Sequence, residues 1–276
     1  MRILAINDIS CVGKCSLTVA LPIISAAGYT CDILPTAILS THTGGFTGYT
    51  FRDLSEDIPS VLNHWKSLGL EYDIIISGYL GSVEQVEMVK EIKGAFLKRG
   101  GTMIVDPVLG DNGKLYAHFD ENFVNEMKGL CRVADVVVPN LTEACFLTDT
   151  PYRPDADFQS VLEKLNGLCP HASITGCEEG ASSTVYYTDE TGETRRYSTE
   201  KVQGQFHGAG DVYAGAFVGA PANGLSLEDA VRVSADFTKQ AIEQTAKDKT
   251  EARYGLNSES QMYAYLCALE KAAKRG

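Results

Sequence analysis

The chain has 276 residues, 44% of them hydrophobic and 22% charged, which is ordinary for a globular protein large enough to bury a core without covalent staples. A formal net charge of −12, from 36 acidic against 24 basic residues, excludes nucleic acid or an anionic membrane as a partner held by bulk charge. The eight cysteines form no CxxC pair and there are no clustered histidines, so they are expected as small buried hydrophobes in a reducing, cytoplasmic compartment. The opening MRILAINDIS lacks the apolar core and cleavage site of a signal peptide, and no apolar run approaches the ~20 residues of a membrane span.

In chain order, RILAIND is a short apolar run ending in polar residues and predicts a buried strand. SLTVALPIISAAG has helical spacing with a stop at Gly28, and TCDILPTAIL is again strand-like. STHTGGFTGYTF is too polar for a core element and too patterned for a linker. A helix over residues 54–68, the strand YDIIISGYL, a helix over 83–98, the strand GTMIVDPVLG, a helix over 121–130 and the strand ADVVVPN follow. HASITG predicts a strand, and SSTVYYTDETGETRRYSTEK a hairpin turning at DETGE. Helices are expected over 212–220, 227–247 and 259–273.

Alternation of strands and helices predicts an α/β fold: a three-layer, doubly wound, mostly parallel sheet with helices on both faces and an antiparallel edge. With no internal repeat and no separating linker, residues 1–276 are expected as a single domain. In such sheets ligands sit beyond the carboxyl ends of the strands. Five predicted strand ends carry polar residues there: Asn7 and Asp8, Ser77 to Tyr79, Asp106, Asn140, and Thr175.

QFHGAGDVYAGAFVGA carries the most chemistry. Gly208, Ala209 and Gly210 would turn bare N–H groups and a positive helix end toward an anion, with Asp211 at or near the N-cap. The same pattern also serves as a plain aspartate cap on a glycine turn. A helix N-terminus is expected to lower the Asp211 pKa and keep it ionised, which suits proton abstraction from an alcohol attacking a phosphoryl group. In PNLTEACF, Asn140 and Glu143 read either as a capping pair or as part of a hard-cation site with Asp106. Asp111 follows in DPVLGD.

GAGD, NLTE and DPVLGD on these strand ends resemble the ribokinase-like superfamily of small-molecule kinases. Within it, THTGG, SGYLGS, DPVLGDNGKLY and VPNLTEACFL resemble the pyridoxal/pyridoxamine kinases, over nearly the whole chain. The resemblance implies a ribokinase-like fold, and ATP-dependent phosphorylation of the 5′-hydroxymethyl group of pyridoxal, pyridoxamine or pyridoxine. It also implies Mg²⁺, a response to K⁺ or Na⁺, and a homodimer. By the same resemblance Asp211 is the base and Gly208, Ala209 and Gly210 form the anion hole. Asp106, Asn140 and Glu143 surround Mg²⁺ and the phosphates, with Asp106 and Glu143 nearest the metal and Asp111 close by. Thr175 and the stretch from Val202 to Phe206 hold the nucleotide. Thr43 and Tyr79 contact the ring, His42 lies beside it, and Tyr116 sits in a covering loop.

Two departures stand out. The family's N-terminal strand usually ends in a ring-contacting serine, where this chain has Asp8, with Ser10 two positions on. The first loop reads SCVGKCS, in which Lys14 either balances phosphate charge or is solvated, and His207 is expected as a packing or turn residue. The rival on the same scaffold is a hydroxymethylpyrimidine (phosphate) kinase of thiamine synthesis, whose members often carry cysteine where this chain has Asp211. A non-catalytic vitamer-binding regulator is the reading from a different class.

Overall fold

The structure is a computed structural model and describes residues 1–275. Its elements run β1 (Arg2–Ser10), α1 (Leu17–Ala26), β2 (Thr30–Leu39), β3 (Phe51–Asp53), α2 (Ile58–Ser67), β4 (Tyr72–Ser77), α3 (Val83–Phe96) and β5 (Leu97–Val105). Then come β6 (Gly110–Asp111), β7 (Lys114–Leu115), α4 (Glu121–Cys131), β8 (Val136–Val137), α5 (Leu141–Leu147) and α6 (Phe158–Asn166). The chain ends with β9 (His171–Glu179), β10 (Ser182–Thr188), β11 (Thr194–Glu200), α7 (Ala209–Ala222), α8 (Leu227–Asp248) and α9 (Met262–Ala273).

Nine strands form one sheet in the order β11-β10-β9-β8-β5-β4-β1-β2-β3. The pairings from β9 to β2 are parallel, while β10, β11 and β3 add antiparallel strands at the two edges. The expected mostly parallel sheet is therefore present, with antiparallel strands at both edges. β3 was missed because its three residues are all exposed and give no apolar alternation.

The central strands read as unbroken apolar runs because both faces of the sheet are covered. Along β1, Leu4 and Ile6 join a core with α2 to α6, through residues such as Leu62, Val89, Met127 and Leu162. Ile3 and Ala5 point the other way, into a second core with α1, α7, α8 and α9, through Ile23, Phe217, Val231 and Tyr265. Each large apolar side chain fully buried in these layers stabilises the fold by about 1.5–3 kcal/mol before entropy is counted. α6 was not foreseen, although its buried Phe158, Val161, Leu162 and Leu165 have helical spacing behind an Asp157 cap.

Five cysteines are buried as expected, but Cys11 is exposed; all eight are free thiols. Among the described residues no helix is long and apolar enough to cross a membrane.

Candidate active site

α7 begins three residues earlier than its apolar run suggests, so Gly208, not Asp211, is the N-cap, and Asp211 is the third residue of the helix. The first-turn N–H groups of a helix have no intrahelical acceptor, and here the cap supplies no side-chain acceptor either. Gly208 has φ +79°, and a Cβ there would lie 2.5 Å from the Lys14 carbonyl oxygen. That position is closed to any side chain. At Gly210 an added Cβ would meet nothing within 4 Å, consistent with a residue open to the cavity.

The Ser16 backbone and the side chains of Asn7 and Cys15 lie near the Asp211 carboxylate and favour its charged form. Its pKa is pushed up to about 7, chiefly by burial and then by the nearby charge of Asp8. This corrects the sequence expectation of a lowered pKa. The helix end is present, but desolvation in a cluster of acids outweighs it.

At the end of β5, Asp106 is raised well above the carboxylate range by burial, then by Glu143, then by Asp211. Asn140 and Glu143 make the reciprocal capping box. Asn140 Oδ1 accepts from Glu143 N at 3.0 Å, and Glu143 Oε2 accepts from Asn140 N at 2.8 Å. Glu143 Oε1 also accepts from Leu109 N at 3.0 Å, and Asn140 Nδ2 donates to the Gly110 carbonyl at 2.9 Å. The structural reading of this pair is thus realised. Even so, Glu143 is 3% exposed and pushed up to about 7 by burial, a condition a cation would relieve.

The donor set fits a hard cation. Asp106 and Glu143 are neighbouring oxygen ligands, and each carboxylate keeps lone pairs beyond those engaged by N–H groups. No group of three or more His, Cys, Asp or Glu among the described residues forms a metal cage, so phosphate and water would complete the shell. Glu143→Ala is expected to raise the Mg²⁺ concentration needed for half-maximal activity. It should also destabilise the chain by about 1–3 kcal/mol, since buried N–H groups lose their acceptor. A Mg²⁺ titration and a urea melt check the two effects separately.

The raised groups carry a stability signature. Asp211 and Glu143 keep protons up to about pH 7 when folded but release them near 3.8 and 4.5 when unfolded. Between those limits the folded state binds more protons, so these two groups make stability fall as pH rises from about 4 to about 7, and their contribution is lost above that. Thermal melts of the ligand-free protein should show that decline; a flat profile over the window would contradict the buried-acid cluster.

A cavity of about 450 Å³ opens on these groups. Asp106, Asn140, Glu143 and Asp211 line it, together with Thr175, Val202 and Phe206, as the sequence anticipated. Asp111 and Tyr116 also line this cavity. Asp111 is exposed and accepts from Asn112, and Tyr116, 41% exposed, stands just past β7. Thr238, Lys239 and Ile242 of α8 complete a wall that sequence reasoning missed, because an amphipathic helix carries no local mark of the ligand it faces.

Of the remaining predicted residues, Ser10, His42 and Tyr79 gather around Asp8, whose charge also reaches Asp211. Asp8, 5% exposed, accepts from Ser10 Oγ at 3.0 Å, and its pKa is raised by burial. Tyr79 is pushed up to about 12 by burial and then by the charge of Asp8. His42 is pinned at both nitrogens: Nε2 donates to the Arg253 carbonyl and Nδ1 accepts from Gly44 N at 3.0 Å. Thr43 is solvent-exposed on the same loop.

Asn7 was noted only as a strand-end residue, yet its Oδ1 accepts from Tyr79 N at 2.8 Å and from Asp8 N at 2.9 Å. His207 packs as expected, and it also faces the large cavity. Its ring lies 5.6 Å from that of His42, and a Cβ on Gly44 would meet it at 2.7 Å. Lys14 is tied to Asn257 at 3.0 Å and Glu259 at 2.9 Å, so its charge is spent on the C-terminal segment.

Asp211 therefore lines the large cavity and also feels the charge of Asp8, and known proteins share this fold. The structure matches that of a pyridoxal kinase from Lactobacillus plantarum with TM-score 0.91 and 33% identity, over 98% of both chains. It matches a Bacteroides thetaiotaomicron protein, provisionally named a phosphomethylpyrimidine kinase and crystallised with pyridoxal, with TM-score 0.89 and 33% identity, over 98% of this chain and 95% of that one. A Schizosaccharomyces pombe protein provisionally named a pyridoxal kinase is 28% identical over 67% of this chain and 57% of its own length. The aligned part spans 57%, 65% and 63% of the first three curated relatives. The fold is ribokinase-like, as the motifs implied. The phosphomethylpyrimidine kinase family model matches residues 26–255, which include every residue lining the large cavity, and the chain belongs to that family.

Proposed function

We propose that the chain is a B6-vitamer kinase, transferring the γ-phosphoryl group of ATP to the 5′-hydroxymethyl group of pyridoxal, pyridoxamine or pyridoxine. The observation that carries this reading is Asp211, which lines a cavity large enough for a nucleotide and feels the charge of Asp8, the acid that also acts on His42 and Tyr79. Two structural relatives support it, one a pyridoxal kinase and one crystallised with pyridoxal.

In this reading Asp211 accepts the alcohol proton as the oxygen attacks in line, and a base poised near pH 7 is well matched to that task. The first-turn N–H groups from Gly208 to Gly210 stabilise charge on the transferring phosphoryl group. Asp106 and Glu143 would hold Mg²⁺, which would supply positive charge against the phosphates, and the Asn140 cap fixes Glu143. Thr175, Val202 and Phe206 seat the nucleotide, with Asp111 and Tyr116 at the phosphate end. Asp8, Ser10, His42, Thr43 and Tyr79 orient the ring. A monovalent cation, K⁺ or Na⁺, a homodimeric assembly, a single kinase domain and a cytoplasmic setting complete the proposal.

The family model's own description favours one second reading, phosphorylation of hydroxymethylpyrimidine phosphate, with hydroxymethylpyrimidine itself as the companion substrate. ATP-dependent phosphorylation of the three vitamers, hydroxymethylpyrimidine and its phosphate, compared side by side, separates the two. Turnover of a vitamer supports the proposal; turnover of a pyrimidine alone replaces it with the second reading. Silence on all five overturns both. The pH profile of kcat/KM should fall below about pH 7 with unit slope as the free base becomes protonated.

A further inference from the structure

Against Asp106 and Asp211, which also line the large cavity, lies a pocket of about 10 Å³. Its walls include Asn7, Ser77, Gly78, Asp106 and Asp211, and small residues such as Ala214 form its floor. Ser77 ends β4, is 0% exposed, and its Oγ has no hydrogen-bond partner among the described residues. A buried hydroxyl left in that condition is destabilising unless an unseen partner satisfies it. The volume is close to that of one probe sphere, enough for a single water if two to four polar partners surround it.

The polarity of the walls specifies the occupant. Asn7 Oδ1 is consumed by two backbone donors, Asp8 N and Tyr79 N, so the amide must turn its Nδ2 group toward Asp211 and the pocket. Gly78 allows this, since a Cβ there would lie 2.2 Å from Asn7 Nδ2. The pocket thus offers donors from Asn7 and Ser77 and acceptors from Asp106 and Asp211. A bare cation would face the Asn7 amide hydrogens, and an apolar group would strand the Ser77 hydroxyl. One water satisfies all four, accepting from Asn7 and Ser77 and donating to each carboxylate.

We infer that this pocket is a built site for one internal water, which bridges Asp211 and Asp106 and makes Ser77 a positioning residue for Asp211. The bridge engages the inner side of the Asp211 carboxylate and leaves the outer oxygen for the acceptor alcohol. It also places an O–H dipole between two acids that otherwise face each other. The positioning role rests on the proposed kinase reading, whereas the water site does not.

Crystals of the full chain, at a resolution that shows ordered solvent, test the site directly. One spherical peak at about 2.7–3.2 Å from Ser77 Oγ, Asn7 Nδ2 and both carboxylates is expected. A pocket without density, or anomalous signal there after a MnCl₂ soak, overturns the inference. Ser77→Val fills the pocket with methyl groups and should lower kcat about 10- to 100-fold, the scale of a misplaced reacting group, with KM for ATP unchanged. Ser77→Ala removes one of four partners and should lower kcat about two- to tenfold. Wild-type kcat in a folded Ser77→Val that lacks the peak overturns the positioning role. If Ser77→Val does not fold, the wild-type density and the Ser77→Ala rate decide the matter. Vitamer turnover by the unaltered chain tests the kinase reading separately.

Discussion

Asp211→Asn is expected to lower turnover by about 10²–10⁴-fold while nucleotide affinity stays within a few fold. The amide is isosteric with the carboxylate but cannot accept the alcohol proton. Its loss also removes one of three mutually repelling acids, Asp106, Glu143 and Asp211. The variant should therefore melt higher than the parent above pH 7, where the parent must hold Asp211 ionised against burial. For a chain of this size about 1 kcal/mol of that relief appears as a rise of about 2–4 °C. Activity lost with stability gained is the pattern of a group kept for chemistry. Steady-state turnover, calorimetric nucleotide binding and melting at pH 8 are the measurements. Near-normal turnover would remove Asp211 as the base, and a lower melting temperature would make it a structural cap.

Gly208→Ala should damage both fold and turnover. The left-handed conformation alone costs a non-glycine residue about 1–2 kcal/mol. The new Cβ would also sit 2.5 Å from the Lys14 carbonyl oxygen, a backbone atom that moves only if the loop between β1 and α1 moves. That loop leads into Ser16, whose backbone lies near Asp211 and favours its charged form. A melting temperature lower by about 5 °C or more is expected. A loss of about 10²–10³ in kcat should accompany it, the scale of removing a donor from an oxyanion hole. Gly210→Ala is the stability control, because its Cβ meets open space and should leave melting unchanged. Equal melting of the two variants would show that the Lys14 contact does not constrain the cap.

Much of the site was legible because its residues lie where apolar runs stop. Asp106 follows MIV, Asn140 follows VVP, and Asn7 and Asp8 follow LAI, so strand ends could be read as a polar rim. The parallel order of those strands then brought the rim together. What stayed hidden came from elements without such punctuation. The α8 wall of the cavity belongs to a helix whose pattern serves its own core contacts, and His207 is separated from Gly44 by 163 positions in the chain. The error over the Asp211 pKa has a different origin. A helix end is visible in sequence, but the enclosing acids Asp8 and Asp106 come from other strands, and desolvation is a property of the assembled site.

The two-faced sheet has a consequence for how the protein fails. Asp211 hangs from α7, in the layer with α1, α8 and α9, whereas Glu143 hangs from α5, in the opposite layer. Only the sheet keeps these two carboxylates in step. Loosening either layer changes their separation while most backbone structure persists, so heat inactivation should run ahead of the loss of far-UV ellipticity. Substitutions deep in either core, such as those at Phe217 or Met127, would then register as activity defects before they register as unfolding.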